Sequence, residues 1–408
     1  MNMDTKITSI TAEEILDSRG RPTLKATVRV GEYAGTFSVP SGASTGSHEA
    51  KELRDADGGV QSAIENIEKI IAPELIGVDA TDQQWIDDRL RALDGTADKS
   101  RLGGNAMIGV SIACAKAAAA AKGVELFEHL RTLREIPPSR DVPFLYMNYI
   151  NGGKHARSSL AFQEHIIVLQ TGDVREAMAM AERIGSELER IIETAYGVEA
   201  AKSMGDEGGY VIPANRADVP FALLADAIGR AGYDERVRLA TDVAASSFYE
   251  DGTYKVGGAT LSADNLLTLH RELVARFDLL SIEDPFEEGA LADFARLQKA
   301  EPAVSIVGDD LTTTNAASIA QAGDAGAITA VIIKPNQIGT LSETLDAMQA
   351  ARARGIDCIV SHRSGETDDT FISDLAYAFG AFGLKAGSLR RPERRVKYER
   401  LAIIARNV

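Results

Sequence analysis

The chain alternates between short unbroken apolar runs and longer segments with helical spacing. Val304–Val307 is apolar and stops at Gly308-Asp309-Asp310. An Ala-rich helical stretch follows Asn315, and a second apolar run, Ala330–Ile333, stops at Lys334. Apolar run, helix and apolar run predict a βαβ unit, because strands buried on both faces lose the polar alternation of half-exposed ones. The same unit recurs on either side. Val237–Ala240 leads to Asp242, Leu279–Ile282 to Glu283, Cys358–Val360 to His362, and Ala381–Leu384 to Lys385. These six strand-end residues lie about 23 to 41 positions apart, the spacing of single units in a (β/α)8 barrel, which average about 31 residues. Such barrels gather polar strand-end residues at one mouth, where chemistry is done.

Upstream the pattern changes. Ile7–Ile15, Thr23–Val30 and Tyr33–Val39 read as short strands with a tight turn at Gly31-Glu32, followed by helical patterns at 60–71, 82–93 and 107–121. The string from Pro40 to Gly46 is too rich in small residues for regular structure. Pro137-Pro138, after a charged stretch, suggests a boundary, with residues 1–136 as an α+β capping domain and 137–408 as the barrel. The barrel then opens with Val142–Ile150, which ends at Asn151-Gly152-Gly153-Lys154-His155, and with Leu160–Leu169, which carries Gln163-Glu164. A long amphipathic helix follows over 173–196, and after it the string Ser203–Gly209 carries Glu207.

Composition adds limits. With 45% hydrophobic residues the chain can build a large core, and its net charge of −16 argues against nucleic-acid or anionic-membrane partners. An anionic ligand therefore needs a local basic pocket or metal ions. The start of the chain shows no basic-then-apolar leader, and no purely apolar run approaches membrane-spanning length. The only cysteines, Cys114 and Cys358, lie in apolar segments and read as buried thiols. A cytoplasmic protein is expected.

Three acidic strand ends, Asp242, Glu283 and Asp309, offer the all-oxygen set that Mg²⁺ prefers. Lys334, one strand further on, faces the same substrate as a candidate base, provided that nearby positive charge lowers its proton affinity. Glu164 and Glu207 form a second carboxylate pair suited to acid work. His362, Arg363, Ser364 and Lys385 are candidates to hold an anionic head group. Together these residues suit proton abstraction next to a carboxylate.

The motifs that carry this set resemble those of the enolase family from end to end. They are ILDSRGRPT from Ile15, VPSGASTG from Val39, NGGKHA from Asn151, QEHII from Gln163, GDEGGY from Gly205, TDVAASSFY from Thr241, SIEDPFEE from Ser281, VGDDLTTTN from Val307, IKPNQIGTLSET from Ile333 and SHRSGETDDT from Ser361. The resemblance implies an N-terminal α+β domain, an atypical (β/α)8 barrel, a homodimer or larger homo-oligomer, and Mg²⁺-dependent interconversion of 2-phosphoglycerate and phosphoenolpyruvate. It implies Asp242, Glu283 and Asp309 as ligands of a first Mg²⁺ and Ser44 as the hydroxyl reaching a second. It further implies Lys334 as the base, Glu207 assisted by Glu164 as the acid, and His155 as a loop histidine closing on the substrate. Arg363 and Ser364 are the implied phosphate contacts, with His362 and Lys385 completing the anion site.

Some positions depart from the family pattern. The stretch after Asp55 is short, Lys154, Arg157, Ser158 and Ser159 surround the loop histidine, His165 stands in place of a Phe, Pro335 follows the base, and Leu389-Arg390-Arg391 is unusually basic. Drift within ordinary enolases is one reading. The other is an altered, larger or more anionic substrate, as in the enolase-like carboxyphosphonoenolpyruvate synthases of phosphonate natural-product biosynthesis.

Overall fold

The computed structural model describes residues 5–42 and 46–407. Ser44, with its implied metal contact, lies outside the described residues. The chain opens with an antiparallel meander of β1 (Ile7–Leu16), β2 (Pro22–Val30) and β3 (Tyr33–Ser38). Val30 pairs with Tyr33, so Gly31-Glu32 is the whole turn, and Gly31 takes the left-handed φ of 57° that a side chain would resist. Helices cover one face of this sheet. The segment over 60–71 is an α-helix that widens into a π-helical turn at Ile67–Ile71, and the helix Gln83–Asp94 is capped by Asp82, whose side chain accepts from the Trp85 N–H. The helix Leu126–Leu133, closed by a reciprocal Glu125–Glu128 capping box, was not legible in the pattern.

The Ala-rich helix Gly104–Lys122 is the axis of this unit. It is long and apolar enough to cross a membrane by length and composition, yet 89% of that stretch is buried inside the fold. Small side chains let it lie directly on the sheet. At Gly35 on β3, an added Cβ would stand 2.2 Å from the Ala113 carbonyl oxygen and the Ala117 nitrogen.

Eight further strands close a barrel. They are β4 (Phe144–Asn151), β5 (Glu164–Leu169), β6 (Val237–Asp242), then, after a small meander of β7 (Tyr249–Glu250), β8 (Thr253–Val256) and β9 (Ala259–Leu261), strands β10 (Ser281–Glu283), β11 (Ser305–Gly308), β12 (Ala330–Ile333), β13 (Asp357–Ser361) and β14 (Gly383–Lys385). The meander β7–β9 occupies the longest of the sequence spacings, between Asp242 and Glu283. The apolar runs are buried on both faces, as expected. Tyr146, Ile166, Val168, Val307, Ile332 and Ile359 belong to a cluster inside the barrel, whereas Val331, Ile333, Ile306 and Val360 join the larger core under the helices.

One strand departs from the uniform βα rhythm. β5 runs antiparallel to both β4 and β6. The Gly152–Gln163 loop that separates β4 from β5 holds a short 3-10 turn at Gly153–His155 and no α-helix, and the two strands form a hairpin. Cys114 and Cys358 are buried free thiols.

The close approach at Gly35 has a measurable consequence. Gly35→Ala must separate sheet and helix backbones, which cannot yield as a side chain can, and is expected to destabilise the fold by about 2–4 kcal/mol. Chemical denaturation of the two proteins checks this through the midpoint and slope.

Candidate functional site

The polar strand ends converge as the barrel geometry requires. Asp242 and Glu283 are the last residues of β6 and β10 and pair across the sheet, while Asp309, Lys334 and His362 follow β11, β12 and β13 directly. Lys385 ends β14. β5 is antiparallel, so its first residue rather than its last reaches this mouth, and Glu164 pairs with Asp242. Glu207 arrives on a loop whose glycines are required: an added Cβ at Gly209 would stand 2.5 Å from Asn151 Oδ1, the atom that accepts a hydrogen bond from the Gly209 N–H.

The centre of the site is Lys385, 1% exposed. Its Nζ lies 2.8 Å from Glu283 Oε2, 3.1 Å from Glu164 Oε2 and 3.8 Å from Asp242 Oδ2. Burial opposes its charge, but Glu164, Glu283 and Asp242 outweigh burial and hold the ammonium firmly protonated. Lys334 is paired with Asp309 in the same manner. Burial works against the lysine charge, Asp309 more than reverses this, and the proton affinity of Lys334 is raised. The chain alone therefore keeps this candidate base charged. Sequence reasoning had asked for the opposite, and the cause is the unneutralised Asp309.

The opposite wall holds the second carboxylate pair. His155 Nδ1 sits 3.4 Å from Glu207 Oε1 and 3.7 Å from Glu164 Oε1. Asn148 donates to Glu207 Oε2 at 2.9 Å, and His362 Nε2 lies 3.3 Å from Glu207 Oε1. Burial would raise the proton affinity of Glu207, yet His155 and His362 pull it well below the usual range. Glu164 moves the other way. Burial and the like charge of Glu207 push it up to about 8, with Lys385 opposing. The pair is split, with Glu164 neutral and Glu207 ionised at neutral pH.

Arg363 is buried, and its fork reaches Glu49 Oε2 at 2.8 Å and Asn336 Oδ1 at 2.9 Å. Glu49 also accepts from Gln337, which in turn donates to Asp309 at 3.0 Å. Ser364 lines the same cavity, with the Arg19 guanidinium 3.4 Å from its hydroxyl. His362 and Lys385, grouped with the anion site by resemblance, are engaged elsewhere. His362 lies between Glu207 and Arg394, and Lys385 lies among carboxylates. Glu49, Asn148, Gln337 and Arg394 were not singled out in the sequence, since none stands at a strand end. Asp284 and Asp310 were passed over beside the residues chosen.

The donor set suits a hard divalent cation. Among the described residues, two groups bring one ligand atom each within 4.8 Å of one another: Asp284, Asp309 and Asp310, and His155, Glu164 and Glu207. Asp242, Glu283 and Asp309 are not one of these groups; Lys385 lies against the first two and Lys334 against the third. Asp284 accepts from the Asp309 and Asp310 N–H groups at 3.0 and 2.7 Å and holds a left-handed φ of 41°. Burial followed by neighbouring carboxylates raises Glu283 and Asp284 well above the usual range. The mouth thus buries more carboxyl groups than its lysines can pair, which raises the proton affinity of several of them and leaves an all-oxygen donor set that a hard cation would suit.

His165, the departure from a usual Phe, faces away from this mouth. Its ring packs 5.0 Å from Phe221 and 6.5 Å from Phe162, and its Nδ1 meets the Ile150 carbonyl at 3.1 Å. Burial lowers its proton affinity to about 4, so it serves as a neutral core aromatic. His165→Phe is expected to leave turnover within about twofold and to change stability by less than about 1.5 kcal/mol; steady-state rates and a melt check both. Removing the Lys385 charge is a different matter. Lys385→Met leaves buried carboxylates without their cation and is expected to cost about 3–5 kcal/mol, read by chemical denaturation in chelator.

Comparison with known proteins agrees with this architecture. Residues 7–130 match the family described as "Enolase, N-terminal domain", and residues 139–408 match "Enolase, C-terminal TIM barrel domain". The chain is 43% identical to the enolase of Methanopyrus kandleri over 411 residues, covering 97% of this chain and 94% of that one. It is 44% identical to the enolase of Thermococcus kodakarensis over 407 residues, with 97% and 94% covered. It is also 44% identical to the enolase of Aeropyrum pernix over 401 residues, with 95% and 91% covered. The chain belongs to the enolase family.

Proposed function

We propose that this protein is a Mg²⁺-dependent lyase that dehydrates 2-phosphoglycerate to phosphoenolpyruvate and water. The observation that carries the reading is the facing arrangement at one mouth: Lys334 beside the carboxylate strand ends, and the split Glu164–Glu207 pair on the opposite wall. A hydrogen next to a carboxylate is weakly acidic and hydroxide leaves poorly, so the reaction needs a base and an acid on opposite faces.

In this reading Lys334 takes the α-proton. The electron pair of that C–H bond forms the C=C bond, and the β-hydroxyl departs with a proton that starts on Glu164, neutral at neutral pH, and is passed through the ionised Glu207 to the leaving oxygen. His155 bridges the two carboxylates and orients them. Arg363 and Ser364 receive the phosphate, with Arg363 exchanging its Glu49 contact for that anion. Asp242, Glu283 and Asp309 would hold the first Mg²⁺ and Ser44 would reach a second. Bound divalent ions would supply the positive charge that offsets the growing charge on the substrate carboxylate and that weakens the grip of Asp309 on the Lys334 proton.

The same reading divides the chain into domains 1–136 and 137–408. It also expects a cytoplasmic homodimer or larger homo-oligomer with no nucleic-acid or membrane partner. Nothing in the comparisons favours the carboxyphosphonoenolpyruvate synthase alternative.

Ultraviolet absorbance of phosphoenolpyruvate tests the proposal. Adding 2-phosphoglycerate and Mg²⁺ is expected to give turnover that chelator abolishes. Lys334→Ala is expected to lower kcat by about 10²–10⁴-fold, the range for loss of a general base. A folded, Mg²⁺-binding parent with no turnover above that variant would sink the proposal.

A further inference from the structure

Arg394 is a guanidinium with no route to solvent. It stands in the first turn of the C-terminal helix Pro392–Ile404 and is 0% exposed. Its stem packs against Gly387, where an added Cβ would meet Arg394 Cδ at 3.2 Å. Nη1 donates to His362 Nδ1 and, at 2.6 Å, to the Arg363 carbonyl. Nη2 donates to the Ser364 carbonyl at 2.8 Å and reaches the Asp206 carbonyl at 3.5 Å. One side chain thus ties the string His362-Arg363-Ser364 to the loop bearing Glu207.

The contact to His362 has a chemical consequence. A guanidinium has five N–H donors, no acceptor, and does not lose its proton in proteins. The ring nitrogen facing it must therefore offer a lone pair. A neutral imidazole with a bare Nδ1 carries its hydrogen on Nε2, and Nε2 lies 3.3 Å from Glu207 Oε1. Turning the ring over would set carbon against both partners and forfeit both bonds. The charged and titratable groups acting on His362 are Glu207, Arg394, Lys385 and Lys334.

We infer that Arg394 is a positioning residue that fixes His362 as the Nε2–H tautomer, so that the imidazole acts as a one-way hydrogen-bond donor to Glu207. With Asn148 donating to Oε2, both oxygens of Glu207 are then held in one plane and one orientation. Without Arg394 nothing holds Nδ1 bare, so the ring can take a second proton there or turn over, and its bond to Glu207 Oε1 is no longer fixed as that of a neutral donor. This inference rests on the proposed role of Glu207 as the acid.

The test reads the tautomer directly. In protein labelled with ¹⁵N-histidine, the chain's six histidines give few resonances, and His362 is assigned by its loss in His362→Asn. The expected result at neutral pH is a pyridine-type Nδ1 and a pyrrole-type Nε2. Arg394→Lys, which keeps a cationic donor, is expected to preserve that signature and most of kcat. Arg394→Met is expected to lose the signature and to lower kcat about 10²-fold, more than it raises KM for 2-phosphoglycerate. A protonated Nδ1 in the parent overturns the inference, as does an Arg394→Met protein with the parent's tautomer. If Arg394→Met does not fold, the parent and Arg394→Lys spectra still decide. A parent with the expected tautomer but no turnover would overturn the reaction assignment alone.

Discussion

The site depends on the cost of burying like charges together. Glu164, Asp242, Glu283, Asp284 and Asp309 are all under 9% exposed at one barrel mouth. Ionising every one of them would cost several kcal/mol each, and burial with like charge accordingly raises the proton affinity of Glu164, Glu283 and Asp284. A chain selected for stability alone would place apolar residues here. The fold endures the arrangement because two lysines supply charge from within, Lys334 after the strand next to that of Asp309 and Lys385 from β14, reaching across the mouth. Their separation of duties follows from position. Lys385 is engaged by three carboxyl groups at once, whereas Lys334 is engaged chiefly by Asp309.

The antiparallel strand serves the same end. A parallel β5 would have sent Glu164 to the bottom of the barrel, because only strand ends reach the mouth when all strands run one way. Reversing β5 brings its first residue up beside Asp242, and the preceding residue, Gln163, donates to Asp242 Oδ2 at 3.0 Å. The β4–β5 loop at the turn of this hairpin also carries His155. A single hairpin thus delivers both the acid pair's first member and the residue that bridges it to the second.

Much of this was legible in the sequence. The βα units, the strand-end residues and the N-terminal sheet and helices follow from runs of apolar residues and their period, since burial on both faces leaves no other pattern. The direction of β5 was not legible, because a strand's hydrophobicity does not encode which way it runs. Glu49 and Arg394 were invisible for another reason. They lie far along the chain from the residues they hold, and a buried charge paired at long range looks like any surface charge in sequence. Lys334 was read correctly as a strand-end residue, but its protonation could not be, since that depends on the distance to Asp309.

The basic departures near the end of the chain gain a structural meaning from the same contacts. Arg390 lies over the Tyr210 ring at 3.9 Å, and Arg391 donates to the Gly205 carbonyl at 3.4 Å and packs on Gly208. Both brace the loop that bears Glu207 from behind. Basic residues spent on a loop's outer face do not widen or charge the substrate cavity, so they lend no weight to a larger or more anionic substrate. His165 is likewise taken up by the core. Of the departures from the family pattern, Lys154 and Arg157 remain exposed beside His155. Among the described residues, a specificity unlike that of ordinary enolases would be sought first in that loop, since Arg390, Arg391 and His165 are taken up elsewhere.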